Sequence, residues 1–167
     1  MIKKSVSLIL AFCIALTSFC VFAGQENSSV NIDDYISFIS SFNIINGDPD
    51  GNYRLDDLVT RAEFSKIAVA ASEQRNSVAA SLAISPFPDV PYTHWAAPYV
   101  KIALSNKYIN GYADATFRPD QNVLFEEAIT VFLKLLGYEN ADFGSSWPYG
   151  PYGIAKNINL IDNMQSQ

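Results

Sequence analysis

Apolar side chains recur at helical spacing in four segments of the chain. The first and third segments, near residues 33–42 and 96–106, are predicted to be short helices. The second and fourth begin at Thr60 and near Phe125 and follow the i, i+3, i+4, i+7 pattern of one helical face. Alternating β-branched runs are short, so the pattern predicts an all-α protein, with residues 72–85 as a helix continuation or a linker. The apolar positions of the second and fourth segments are Phe64, Ile67, Ala68, Ala71, Ile129, Phe132, Leu133 and Leu136.

The four segments form two copies of one unit. A shift of 64 residues lays "DYISFISSFNIINGDPDGNYRLDDLVTRAEF" over "PYVKIALSNKYINGYADATFRPDQNVLFEEA" without a gap, so that Asn46 falls on Asn110. A partial third copy follows at a shift of 52, where Trp147 falls on Trp95. Each unit is therefore predicted to be two helices around a loop, repeated in tandem.

The first 23 residues have the pattern of a secretory signal. Two lysines precede an apolar run, and small residues stand before the expected cleavage after Ala23. An uncleaved anchor helix is the alternative, although the run is short for a membrane span. Cys13 and Cys20 both lie in this segment, so the mature chain is expected to hold no disulfide and no cysteine-based metal site.

The charge of the chain limits its partners. The formal net charge is −6, and without the signal nine basic and 17 acidic side chains leave −8. Such an acidic protein is a poor general partner for nucleic acid or for anionic lipid, so neither is expected once the signal is cleaved. An anionic ligand would have to be bound by a few placed arginines.

The first loop has part of the layout of a calcium-binding loop, with Gly51 at position 6. The second copy breaks that layout with Tyr112, Ala115 and Gln121 at positions 3, 6 and 12. Both copies keep Asn-Gly, one Asp, an aromatic residue and an Arg, which favours a turn in which Asp bonds neighbouring amides. Calcium in the first loop alone stays an alternative; no other cofactor is expected. The oxygen-bearing positions of the first loop are Asn46, Asp48, Asp50 and Asp57.

The second copy, "FPDVPYTHWAAPYVKIALSNKYINGYADATFRPDQNVLFEEAITVFLKLLGYE", resembles an S-layer homology (SLH) repeat in its combined "FxDV…HWA" and "NGY.D.TFRP" motifs. The first copy lacks the opening motif but keeps the helix start "VTRAEF". The resemblance implies repeat 1 at residues 24–85, repeat 2 at 86–139 and a partial repeat 3 at 140–167. It implies that such repeats pack as a partial pseudo-threefold helical unit. It also implies that they hold exported proteins on the cell wall, by binding secondary cell-wall polysaccharide, often pyruvylated, or a peptidoglycan-linked polymer.

The "TRAE" stretch carries the main candidate site. Thr60 and Glu63 have the spacing of a capping box, in which the hydroxyl and the carboxylate bond to the helix start. Arg61 is expected to bind a pyruvate carboxylate with two prongs, and its alternative is a solvated surface arginine. In the second copy "LFEE" replaces "TRAE", so Glu127 loses its hydroxyl partner and Phe125 stands in place of Arg61. This second site is therefore expected to bind an anionic sugar poorly.

Three further side chains are secondary candidates. Trp95 is interpreted as a sugar contact or as a core residue at the helix start, and the Trp147 segment as a sugar platform or a helix start. Arg118 is expected either to contact a ligand or to tie down its loop through Asp114 or Asp120. The lone His94 makes no catalytic or metal site, and no sequence feature indicates the two converging carboxyls that glycoside hydrolysis requires, so an enzyme is not expected.

Two other functions compete with wall anchoring. One is a structural module that mainly packs against other SLH chains, and the other is a calcium-responsive module at residues 46–57. The third copy stops at Gln167, before its loop and second helix. A fragment of a longer protein, pairing with another copy and an exposed apolar face are all compatible with this ending.

Overall fold

The computed structural model describes residues 31–161. The predicted signal at residues 1–23 and both cysteines lie outside this part of the chain. The described residues form five α-helices and a short 3₁₀ helix, while their β structure is limited to two isolated bridges. The prediction of an all-α fold is confirmed. The α-helices are α1 (Ile32–Ser41), α2 (Arg61–Ala70), α3 (Ala97–Ser105), α4 (Phe125–Leu135) and α5 (Tyr149–Asn157).

Local signals explain where several helices begin. The Asn31 side chain accepts a hydrogen bond from the Asp33 amide at the start of α1, and Thr60 caps α2. A proline lies in the first turn of α3, where its missing N–H leaves no helical bond unmade. The 3₁₀ helix covers Glu73–Ser77, so the segment after α2 is a short helical turn followed by irregular chain.

The backbone reproduces both repeat shifts. Asn43, Lys107 and Asn159 follow α1, α3 and α5, and all three have left-handed backbone angles, with φ of 55°, 59° and 59°. The residue after each of them donates its amide to a carbonyl five positions back. These positions are separated by 64 and 52 residues. Three chain segments therefore leave their first helices through the same turn, one typical of helix C-termini.

The repeats pack across their boundaries. Helix α2 of the first repeat lies against α3 of the second, and α4 of the second lies against α5 of the third. The largest buried cluster accordingly joins Ala62 and Val69 of α2 to Val100 and Ala103 of α3, with Phe117 from the second loop. We call these two contacts the seams. The pseudo-threefold arrangement and the repeat boundaries at 85/86 and 139/140 stay predictions.

None of the helices within residues 31–161 has both the length and the apolar character needed to cross a bilayer.

Candidate ligand-binding grooves

Two surface grooves lie beside the seams. The first groove has a volume of about 480 Å³, and the second about 210 Å³. The first is lined by residues 44–46, 53–55 and 57–60, by Glu63, Lys66 and Ile67 of α2, and by Trp95. The second is lined by residues 108–112, by Glu127, Thr130, Val131 and Lys134 of α4, and by Arg61 and Trp147.

The two grooves are copies of one site. At the shift of 64, Asn46 corresponds to Asn110 and Glu63 to Glu127, and each pair lines its own groove. At the shift of 52, the rim residue Trp95 corresponds to Trp147. Each groove therefore combines the loop and second helix of one repeat with a tryptophan from the start of the next.

The capping box of α2 is confirmed. The Thr60 amide and hydroxyl donate to Glu63 Oε2 at 2.9 and 2.8 Å, and the Glu63 amide donates to Thr60 Oγ1 at 3.3 Å. Burial raises the pKa of Glu63, but these bonds from Thr60 and the nearby Arg54 charge outweigh it, so that the pKa lies below its ordinary value. The start of α2 is therefore held by a charged carboxylate at neutral pH.

Arg61 is buried, with 1% of its surface exposed. Its guanidinium donates to Glu127 Oε1 at 2.8 Å and to the carbonyl oxygens of Phe117 and Asn110 at 2.8 and 2.7 Å. It also lies 4.7 Å from the ring centroids of both Tyr112 and Phe117. Arg61 thus lies on α2, and its guanidinium is bound by the loop of the following repeat. The alternative of a solvated surface arginine is wrong.

This placement corrects the grouping of Arg61 with Glu63 in one groove. Glu63 lines the first groove, whereas Arg61 lines the second. The sequence places the two residues two positions apart, but a helix directs such positions to different sides. The first helical position of α2 faces the next loop across the seam.

Glu127 does not lack partners, although it has no capping hydroxyl. Its Oε2 accepts from the Leu124 amide at 3.0 Å, and its Oε1 pairs with Arg61. The expectation that Phe125 leaves this site without an arginine is therefore wrong, because α2 supplies Arg61 to it. Leu124 and Phe125 are instead exposed, at 51% and 47%.

Arg118 ties down its own loop. Its Nη2 lies 2.9 Å from Asp114 Oδ2, and its guanidinium stacks 4.0 Å from the Tyr112 ring centroid. Hydrogen bonds from Thr116 and Arg118 lower the pKa of Asp114 to about 2. The geometry therefore matches the loop-tying alternative through Asp114, while a ligand contact of Arg118 stays a prediction.

Asp89, which precedes α3, binds the second loop and was not singled out from the sequence. Its carboxylate accepts the Phe117 amide at 2.9 and 3.0 Å and the Arg118 amide at 2.7 Å. It is the Asp of the "FPDV" motif, so the motif itself was the available signal. Asp89 holds the loop whose Phe117 and Asn110 carbonyls bind Arg61.

Both tryptophans lie at groove rims. Trp95 is 53% exposed and Trp147 is 58% exposed, so the interpretation of Trp95 as a core residue is wrong. His94 accepts the Ala96 amide at Nδ1 and stacks on Trp95 with a centroid separation of 5.8 Å, consistent with its expected role at the helix start. Trp147 precedes α5, as in the helix-start interpretation, and it lines the second groove; its role as a sugar platform stays a prediction.

Arg54 lies among the carboxylates of the first loop. It lies 2.9 Å from an oxygen of Asp48 and 3.6 Å from one of Asp57, while Asp50 accepts the Asn52 amide. Between residues 31 and 161 no three His, Cys, Asp or Glu side chains cluster as a metal site. The loop carboxylates are thus engaged by Arg54 and the backbone, as in the turn interpretation.

The S-layer homology domain model matches residues 26–65 and 86–129. The chain belongs to the S-layer homology family. It is 28% identical over 166 residues to the middle cell wall protein of Brevibacillus brevis, an alignment that covers 95% of this chain and 16% of that protein. It is 41% identical over 92 residues to cell surface glycoprotein 1 of Acetivibrio thermocellus, covering 55% of this chain and 4% of the other.

A third SLH relative is the cellulosome-anchoring protein of the same organism, 27% identical over 120 residues, covering 66% of this chain and 27% of that protein. This SLH chain spans about one sixth of the first relative, the middle cell wall protein. The family and its relatives indicate a secreted protein of the cell surface.

Proposed function

We propose that this SLH chain anchors an exported protein to the cell wall without a covalent bond and without catalysis. Membership of the family supports a role in wall anchoring of surface proteins. The ligand we propose is secondary cell-wall polysaccharide, including pyruvylated forms, or a peptidoglycan-linked polymer. The observation that carries this proposal is the duplicated groove with an exposed tryptophan on its rim.

The chemistry of each groove suits a saccharide. An exposed tryptophan offers an apolar ring face to sugar C–H groups and an N–H for hydrogen bonding. Charged side chains also line each groove, among them Glu63 and Lys66 in the first and Lys134 in the second. Apolar walls with a few placed polar groups are typical of ligand sites.

Two copies of the groove favour a polymer over a single sugar. Once one groove has bound a repeating polysaccharide, the second meets the same polymer at a raised effective concentration. Tight retention on the wall can therefore come from two weak sites.

The test measures retention of residues 24–167 on purified cell-wall sacculi, before and after chemical removal of the wall polymer. We expect retention only on untreated sacculi, and its loss in the Trp95→Ala, Trp147→Ala double variant. Tyr92→Ala is the control, because Tyr92 is 55% exposed and lies outside both grooves. Binding that is indifferent to polymer removal would reject polymer recognition.

Assembly with other SLH chains is a second candidate, favoured by the exposed start of α4. The start of α2 binds the following loop, whose Gln121 and Pro119 carbonyls accept the Arg61 and Ala62 amides. Leu124 and Phe125 hold the matching position on α4 and are exposed. We propose that they dock on the first loop of a second copy, in a head-to-tail contact.

Sedimentation velocity from 1 to about 200 μM tests this assembly. We expect concentration-dependent oligomers that Phe125→Glu removes and Tyr92→Ala leaves intact. A monomer across the whole range would reject it.

A further inference from the structure

The same tripeptide, Ile-Asn-Gly, lies at the start of both loops. It stands at residues 45–47 and again at 109–111, and the asparagine of each copy is exposed. The same backbone hydrogen bond closes each turn, at 2.9 Å in the first loop and 2.8 Å in the second. Asn46 and Asn110 thus share their local chemistry, and they differ in what surrounds each loop.

An asparagine followed by glycine is prone to spontaneous deamidation. The glycine main-chain nitrogen attacks the asparagine Cγ, so that an N–Cγ bond forms while the Cγ–Nδ2 bond breaks and ammonia leaves. Water then opens the resulting succinimide ring to aspartate or isoaspartate. Glycine favours the attack because it has no Cβ to restrict the rotation that brings the two atoms together. The loop has to open for this step, so bonds that fix the loop slow it.

The second loop is fixed from outside. Arg61 Nη2 donates to the Asn110 carbonyl oxygen at 2.7 Å, and a side chain on Gly111 would overlap the Phe87 ring. The Asp89 carboxylate also binds two main-chain amides of this loop. Succinimide formation at Asn110 therefore requires the loop to break its contacts with α2 and with the segment before α3.

The first loop lacks such support in the described part of the chain. No hydrogen bond there involves the Asn46 side chain or its carbonyl oxygen. The nearest atoms to a side chain on Gly47 would be the backbone of residues 51–52, from 3.2 Å, in the same loop. The aromatic residues show the same contrast, because Tyr53 is 37% exposed whereas Phe117 is fully buried. Among the described residues, therefore, no bond from another repeat restrains the Asn46–Gly47 pair.

We propose that Asn46 is a site of spontaneous deamidation in the folded chain, and that the Arg61 contact protects Asn110 from the same reaction. The product has a carboxylate in the first groove, which Asn46 lines. The second groove, which Asn110 lines, keeps its neutral amide. The two grooves therefore become chemically different as the protein ages, whether or not they bind a saccharide.

The experiment follows both asparagines in one sample of the folded chain, kept in a mildly alkaline buffer. Trypsin cleavage after Arg54, Lys107 and Arg118 places them in separate peptides, and tandem mass spectrometry measures the conversion of amide to acid at each. We expect Asn46 to deamidate about tenfold faster than Asn110, the effect of one charge-assisted hydrogen bond on loop opening. In concentrated urea this preference should disappear, because both Ile-Asn-Gly sequences are then equally free.

The Arg61→Ala variant tests the cause of the protection. It should raise the rate at Asn110 toward that at Asn46, while Asn46 keeps its own rate and serves as the internal reference for folding. If both rates rise to their values in urea, the variant is unfolded and the wild-type ratio decides the proposal. Arg54→Ala is the matched control, because this guanidinium binds carboxylates of the first loop, and it should leave the rate at Asn110 unchanged.

Several outcomes would overturn the proposal. Equal rates in the folded wild-type chain, a faster Asn110 or an unreactive Asn46 would each do so. The same preference in urea would assign the difference to local sequence and not to the fold. An unchanged Asn110 rate in a folded Arg61→Ala variant would reject Arg61 as the protecting contact. The sacculus experiment tests wall anchoring separately, so either proposal can fail while the other stands.

Discussion

A buried guanidinium is stable only if acceptors replace the water it loses, and Arg61 shows how this chain provides them. One carboxylate and two carbonyl oxygens from the following repeat surround it at 2.7–2.8 Å. The carbonyls belong to the loop that Asp89 holds in place. Arg61 therefore connects two repeats, and these contacts form only when both α2 and the second loop are ordered.

Replacing Arg61 with Ala should lower the free energy of unfolding by about 3–5 kcal/mol. The substitution leaves Glu127 without its ion pair and two partly buried carbonyls without a donor. Arg61→Lys should recover part of the loss, since one ammonium cannot match the planar fork. Urea denaturation followed by tryptophan fluorescence measures the change.

Arg54→Ala is the control for that prediction. Arg54 pairs with acids too, but its side chain is 51% exposed, so its removal should cost at most about 1 kcal/mol. Equal losses in the two variants would contradict the structural role given to Arg61.

The capping carboxylate of Glu63 should make stability depend on pH. Its pKa is lower in the folded chain than its ordinary 4.5, so its contribution is complete above that pH and is lost as pH falls through the folded pKa. We expect Glu63→Gln to lower the melting temperature at pH 7, and the difference from wild type to shrink below pH 4.5.

Two features make this pH experiment specific. Glu73→Gln changes an exposed glutamate outside any capping box and should show no such convergence. Asp114 keeps its charge through the same range, because its pKa lies at about 2. A Glu63→Gln deficit that is constant from pH 7 to pH 3 would contradict the prediction.

At the scale of elements, the helices were predictable where the signal is local. The spacing of apolar residues gave both ends of α1 and α3 within about one residue, and the Thr60 capping box gave the start of α2. The recurring left-handed residues at Asn43 and Lys107 were not predicted, because neither is a glycine. The exposure of Trp95 was also missed, since a tryptophan at a helix start is compatible with either side of a core boundary.

Helix α4 lacks the side-chain cap that α2 has. Leu124 stands at the N-cap and is 51% exposed, while the Glu127 half of a capping box is already in place. Leu124→Thr should therefore raise the free energy of unfolding by about 1 kcal/mol, because it adds the missing hydroxyl acceptor at little cost in buried area. Urea denaturation measures the gain.

Leu58→Thr gives the matched control. It makes the same change at a position that is 75% exposed and outside any helix start. It should have no stabilising effect, and an equal gain there would assign the effect to lost surface hydrophobicity instead of capping.

At the scale of the molecule, the partners of Arg61 could not be read from spacing. Asn110, Phe117 and Glu127 lie 49, 56 and 66 residues away from it, and a repeat predicts equal environments within each copy, not contacts between copies. The packing of α2 on α3 and of α4 on α5 determines which groove each residue lines. For this reason the sequence singled out Arg61 and Glu63 but placed them in one groove, whereas they line different grooves.

The seams should also make the chain unfold as one unit. Each seam buries a second helix against the first helix of the next repeat, and α2 also contacts α4. A repeat that loses its neighbour exposes that buried face, so partial unfolding is costly. Trp95 reports on the first groove and Trp147 on the second, which gives each seam its own fluorescent probe.

The Trp147→Phe variant leaves Trp95 as the sole tryptophan, and Trp95→Phe leaves Trp147. Each urea curve should have the same midpoint by tryptophan fluorescence as by far-ultraviolet circular dichroism of the same variant. Arg61→Ala should separate the two probes, because it weakens the link of α2 to the second loop and to Glu127 of α4 but removes no contact between α4 and α5. If the two probes already show separate transitions when Arg61 is present, the two seams unfold independently. Each groove would then keep its structure without the other seam.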